Sequence, residues 1–316
     1  PDLRFRKPLL YPAELPGDAR RVAGRIACFH RRCSRKRERI VTGRSLLPTR
    51  SLRLAAVVVA LAGPPGTARA EQALCLDGPL EEVWATTVVR GDELVLDDGR
   101  RVRLAGVEVP PPSLADPNGA AARAALRLAG AARDALAARA TDRPLRLLDL
   151  GEDRHGRRRG HLVDTESGHW LNGDLVGEGR LRVAPDRDDP ICAAALLARE
   201  AEARAAGRGL WSDPYHAVRT ADRSLLDRVG DVVVAEGVVR SIGRSHGRTW
   251  LNFGDDIARD FAVVMNDNDR VRFERTGIVW DRLKDRRIRI RGIVLRRGDA
   301  PRMAVDDPAA LEPLER

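Results

Sequence analysis

Val88-Val-Arg90-Gly91-Asp92, Arg103-Leu-Ala-Gly-Val-Glu108-Val-Pro110 and Asp153-Arg-His-Gly-Arg157 are the three pieces whose reading decides the fold. Around them, residues 83–108 alternate like half-buried strands. Val88, Leu94 and Leu96 mark one strand, and Val102, Leu104 and Val107 the next. Asp98-Gly99 between them is a hairpin-turn signal, because such a turn needs positive φ. Pro110-Pro-Pro112 ends strand pairing, since proline has no N–H to donate. Downstream, Asn118–Ala140 reads as a helix weakened at Gly130, and Leu145–Leu150 and Gly160–Asp164 read as strands around a charged turn. Trp170–Glu178 and Ile191–Ala206 read as helices, the second closed by Gly207 and Gly209 before Leu210-Trp211 folds back. The result is two arginines and two carboxylates at the ends of short strands, a set suited to holding a divalent metal and a phosphodiester together.

From Asp231 the pattern returns to strands, with Val232–Val239, Thr249–Phe253, Asp260–Met265 and Arg287–Leu295 as candidates and Trp280–Lys284 as a short helix. This predicts a second small β-barrel over 231–316, joined by a linker at 221–230. Trp250, Phe253 and Phe261 lie near Arg244 and Arg248. They either stack bases along a groove or fill a small core, as alternating strands normally use aromatics. His246 falls in a hairpin loop without a visible partner.

Charge is unevenly spread. The chain of 316 residues carries a formal +10, yet residues 1–50 hold 14 Lys/Arg against 4 Asp/Glu, so the other 266 hold 42 of each and net to zero. Any polyanion site in the folded part is therefore a local patch rather than a whole-body field. The arginine-rich leader at 1–50 reads either as a nucleic-acid-binding arm or as a segment that is disordered or lies upstream of the true start. The adjoining segment favours the second. Arg50-Ser-Leu-Arg53 precedes the apolar Leu54–Ala62 and then Ala68-Arg-Ala70, the pattern of a secretory signal at 51–70 cleaved before Glu71. Nine apolar residues fall short of the roughly 20 a spanning helix needs. The expected localisation is secreted or periplasmic. In that compartment Cys75 and Cys192 either form a disulfide or remain two thiols.

The order strand, hairpin, helix, strand, Asp-Arg-x-Gly-Arg turn, strand, helix, helix, Gly209-Leu-Trp211, with Leu171-Asn172 in place, resembles the thermonuclease (staphylococcal-nuclease-like) family over roughly residues 83–216. The resemblance implies a β-rich α+β chain in which residues 71–220 form an OB-like five-stranded barrel with packed helices. It implies calcium-assisted cleavage of DNA or RNA. On the matching positions, Asp92 and Glu108 would be metal carboxylates, Val109 would offer its carbonyl to Ca2+, and Arg103 and Arg157 would contact phosphate. Calcium suits such oxygens, and guanidinium gives phosphate paired donors. The chain departs from the family pattern at the catalytic glutamate, which is Pro111, at the carboxylate before Gly91-Asp92, which is Arg90, and at the turn's tyrosine, which is His155. The family's base-stacking tyrosines are absent from Ala184-Pro-Asp-Arg187, and Asp116 is the nearest carboxylate to Pro111 on its C-terminal side. His155 reads as a general acid or as a solvated turn residue. This leaves two functions: a calcium-assisted nuclease lacking its base, or a non-catalytic module binding nucleic acid or an envelope protein. The segment Gly247-Arg-Thr-Trp-Leu-Asn-Phe-Gly254 resembles a barrel appended to exported members of the family.

Overall fold

The computed structural model describes residues 75–112, 117–187 and 189–314. The leader, the signal segment with its cleavage point and Asp116 lie outside the described residues. Those that are described form a mixed α+β, strand-rich structure with two hydrophobic cores.

The first core is wrapped by β1 (Leu80–Arg90), β2 (Glu93–Leu96), β3 (Arg101–Leu104), the short β4 (Val107–Glu108), α1 (Ala120–Ala140), β5 (Pro144–Glu152), β6 (Arg158–Asp164), α2 (Leu171–Gly177), β7 (Arg182–Val183) and α3 (Pro190–Ala205). Five strands close into a barrel in the order β1-β2-β3-β6-β5. β3 and β6 run parallel and the other pairs antiparallel. This ring, with a helix between its third and fourth strands, is compatible with an OB-like fold. Alternation drives it: Val102 and Leu104 point inward, so Arg101 and Arg103 point out. The Asp98-Gly99 turn forms as expected, with Gly99 at φ 85° and Asp98 accepting from the Arg100 N–H at 2.9 Å. Helix α1 lays Ala132, Leu136 and Ala140, one stripe at i, i+4, i+8, on the barrel.

Cys75 and Cys192 form a disulfide (S–S 1.98 Å) that ties the segment before β1 to the start of α3. His161 is buried beside it. Trp170 Nε1 donates to His161 Nδ1 at 3.2 Å, which leaves Nε2–H to donate to Asp189 Oδ2 at 2.7 Å. Asn172 joins α2 to the barrel: its Oδ1 accepts from Leu162 N at 3.1 Å and its Nδ2 donates to Ala105 O at 3.0 Å.

The second core is built from β8 (Arg219–Thr220), β9 (Val232–Val238), β10 (Ser241–Ser245), β11 (Arg248–Asn252), β12 (Ala262–Asn266), α4 (Arg270–Arg275), β13 (Arg287–Ile293), β14 (Leu295–Arg297), β15 (Ala300–Ala304) and β16 (Leu311–Pro313). A second closed barrel is not what these strands make. They form two open sheets, β10-β11-β12-β15-β14 and β16-β13-β9-β8, around one core. The segment expected as a linker contributes to that core, because Ala221 and Leu225 are buried in it. Phe261 and Phe273 are buried there too, whereas Trp250 stays half-buried.

The halves meet across charged groups. Arg291 on β13 reaches Glu200 on α3 through Nη2–Oε2 at 2.7 Å and Nη1–Oε1 at 3.1 Å, and also donates to Glu312 at 2.8 Å. His216 is buried at the same junction. Burial, joined by the nearby Arg182 charge and those of Arg228 and Arg219, pushes its pKa from 6.5 down to about 4. The unfolded chain therefore takes up a proton first as pH falls. His216 contributes its full stability above pH 6.5 and loses it between 6.5 and 4, by up to about 3 kcal/mol at roughly 1.36 kcal/mol per unit. His216→Gln should flatten the stability curve over that window in urea unfolding. An unchanged slope would assign the pH dependence elsewhere.

Candidate phosphate-binding site on the first barrel

Gly91 sets the site. A Cβ there would stand 2.5 Å from Ala132 Cβ on α1 and 3.0 Å from Val109 Cγ2. Only glycine lets helix, turn and Val109 meet here. The sharp exit from β1 then drops Asp92 into the barrel wall, where it is 1 % exposed.

Asp92 faces two guanidiniums. Arg90 Nε lies 3.1 Å from Oδ1, and Arg103 Nε lies 4.0 Å from Oδ2. Arg157 sits in the Asp153–Arg157 turn, held by Asp153 Oδ2 at 2.6 Å and by Glu93 Oε2 at 2.8 Å. Asp153 also accepts from the His155 and Arg157 N–H groups. Burial would raise the Asp153 pKa, but these bonds outweigh it and hold it at about 2. Arg157 is correspondingly pushed up: burial works against its charge and the bonds to Asp153 and Glu93 prevail. His155 is exposed in this turn, and its ring Nε2 accepts from Arg154 Nε at 3.0 Å.

Glu93 is the organising residue that sequence reasoning missed. It is 2 % exposed, pairs with Arg101 and Arg157, and is the cross-strand partner of Arg103. The available signal was an acid directly after Asp92, opposite a strand carrying arginines at i and i+2. Asp92, Arg103 and Arg157 are thus brought together on one face, with Val109 packed against its turn.

Glu108 is engaged elsewhere. It pairs with Arg182 across β4–β7, accepting from Arg182 Nε at 2.8 Å. Arg182 Nη1 in turn donates to Val232 O at 3.0 Å, and both side chains line a cleft of about 270 Å³ at the junction with the second core.

The donors do not fit calcium in this arrangement. A calcium ion needs about six to eight oxygens. Asp92 Oδ1 is buried without a hydrogen bond, but Arg90 brings a positive charge to it, and Glu108 is committed to Arg182. Among the described residues one trio has metal-ligand character, Cys75, His161 and Cys192, and its sulfurs are bonded to each other. Pro111, partly exposed after the buried Pro110, can neither take nor give a proton. What the face offers is four guanidiniums, Arg90, Arg101, Arg103 and Arg157, around three carboxylates, with the first three at least a third exposed. Such a face can receive phosphate oxygens from solvent, and its three carboxylates, Asp92, Glu93 and Asp153, are each paired with a guanidinium.

No protein-family model matches this chain, and a search of curated proteins finds no match either.

Proposed function

We propose that residues 71–220 are a thermonuclease-like domain that holds the phosphates of a DNA or RNA strand without cleaving them, in a protein exported from the cell. The observation that carries this reading is the Arg90–Asp92 contact: a guanidinium lies against the carboxylate where the family resemblance expects a cation. Pro111 in place of a base acts in the same direction, since a positioned base is worth about 10²–10⁴ in rate. The disulfide suits an oxidising compartment. Among the described residues no helix is long and apolar enough to cross a membrane. Residues 231–316 form the second domain of this reading.

Binding is tested by fluorescence anisotropy with labelled single-stranded DNA and RNA across a salt series. Each phosphate contact contributes about 0.7 to the slope of log affinity on log salt for single strands. Arg103→Ala should weaken binding and lower that slope by about one contact's worth. An unchanged slope removes Arg103 from the contact surface.

A second reading, calcium-assisted hydrolysis, is favoured by one observation: Asp92 Oδ1 is buried and accepts no hydrogen bond. It requires Arg90, whose side chain is 53 % exposed, to turn away.

A further inference from the structure

We propose that the outer face of the β10-β11-β12-β15-β14 sheet is a separate ligand site for a nucleotide unit, with a base stacked on Trp250 and its phosphate paired with Arg297. The site lies wholly on the second domain and does not depend on the reading of the first barrel.

Strand alternation creates it. On β11, Leu251 is fully buried in the second core, so Trp250 and Asn252 project to the opposite face. The cross-strand partner of Trp250 on β10 is Gly243, and a Cβ there would come no closer than 3.8 Å to any neighbour. The indole is therefore left without a side chain beside it on the β10 side, while its partner on β12 is Val264. A cavity of about 390 Å³ opens over this face, with Trp250, Asn252, Ile257, Arg297 and Arg302 among its walls.

Three features point to the ligand's chemistry. The first is an aromatic surface beside a cation: the Arg297 guanidinium carbon stands 5.6 Å from the Trp250 ring centroid. Arg297 is exposed at the end of β14, next to the Gly298 turn, and pairs with no carboxylate among the described residues. The second is an excess of positive charge. Arg302 is 9 % exposed and spends its guanidinium on the backbone oxygens of Asp260, Pro301 and Ile257. Burial and the Arg297 charge both lower its pKa, with Asp260 the carboxylate opposing them. An anion between the two arginines relieves that repulsion. The third is unmet hydrogen-bonding capacity. Asn252 is 3 % exposed, and its Nδ2 donates to Ser241 Oγ at 3.1 Å while Oδ1 has no partner. Trp250 Nε1 is also buried without one. Buried polar groups normally find partners, and a base edge carries both donors and acceptors to supply them. A planar, hydrogen-bonding, anionic ligand meets all three conditions, and a nucleotide is that ligand. Indole faces accept any base, so the expected selectivity is for base plus phosphate rather than for sequence.

The test is calorimetric titration of the full chain with adenosine 5′-monophosphate, adenosine, ribose 5-phosphate and an oligothymidylate. Adenosine 5′-monophosphate should bind at least tenfold tighter than either of its parts. Trp250→Ala should weaken it by about 5- to 150-fold, the range of a lost base stack. Arg297→Ala, at an exposed position that does not support the fold, should weaken it about tenfold, and Gly243→Val should block it without altering any charge. A tighter oligonucleotide identifies the source as a strand, and a mononucleotide preference identifies a free nucleotide. Arg103→Ala separates the domains: binding that survives it belongs to the second site whatever becomes of the first. The proposal is overturned if ribose 5-phosphate binds as well as the nucleotide, if Arg297→Ala and Gly243→Val leave affinity unchanged, or if Arg103→Ala alone abolishes the signal.

Discussion

Arg291→Ala should destabilise the folded chain by about 3–5 kcal/mol, the cost of breaking a buried ion pair from one side. Arg291 is 3 % exposed and Glu200 0 % exposed. Burial alone would raise the Glu200 pKa, yet Arg291, Arg204 and the Val183 N–H together pull it down. Removing Arg291 leaves that carboxylate in the junction with only Arg204, at 2.5 Å, and the Val183 N–H, at 2.8 Å. It also strips Glu312 of its 2.8 Å partner. The damage comes from the charge left behind rather than from the lost attraction. Glu200→Gln combined with Arg291→Met should therefore recover at least about half of the loss, because apolar or neutral replacement of both partners is far less costly than removal of one. Urea unfolding of the parent, the single variant and the pair measures both numbers. A single-variant cost below about 1 kcal/mol, in the range of an exposed pair, would show that the junction is hydrated.

Loss of the Cys75–Cys192 bridge should cost about 2–5 kcal/mol. It spans 117 residues of sequence, so opening it releases a long loop in the unfolded chain. The native side loses little contact, since both cysteines are packed in the first core regardless of the bond. Cys75→Ala/Cys192→Ala should accordingly keep the barrel's circular dichroism while its unfolding midpoint falls. His161 gives an internal check. Its hydrogen bonds to Trp170 and Asp189 do not involve the sulfurs, and its NMR signals should persist in the double variant. A midpoint unchanged from the parent would mean that the unfolded chain is already compact around this segment.

The barrel was legible because its signals are local. The Asp98-Gly99 and Asp153–Arg157 turns each announce themselves within a few residues, and the alternation over 83–108 strand by strand. The second half was harder. Strand β10 reads Ser-Ile-Gly-Arg-Ser, with no apolar alternation, and takes its order from pairing with β11. The β14–β15 hairpin carries Leu-Arg-Arg on an exposed edge, and α4 is six residues of mostly charged chain; neither has a periodicity to read. At the site, Asp92, Arg103 and Arg157 were found from short motifs. The partners that decide their state were not. Glu93 joins Arg157 across 64 residues of sequence, and Glu108 joins Arg182 across 74. Charge pairing at that separation depends on how the strands fold together, which neither periodicity nor spacing encodes. The aromatics divided in a way alternation could state only as two options: Phe261 entered the core and Trp250 did not.

We propose that Arg90 and Pro111 leave the arginine face of the first barrel able to hold phosphates but not to cleave their diesters. The most direct measurement is cleavage of labelled single-stranded DNA and RNA by the full chain, with calcium and with chelator, alongside Arg157→Ala and Arg90→Asp/Pro111→Glu. The account predicts that the parent binds the strand but leaves it intact in either condition. Calcium-dependent cleavage by the parent, abolished by Arg157→Ala, would contradict it and make the protein a nuclease.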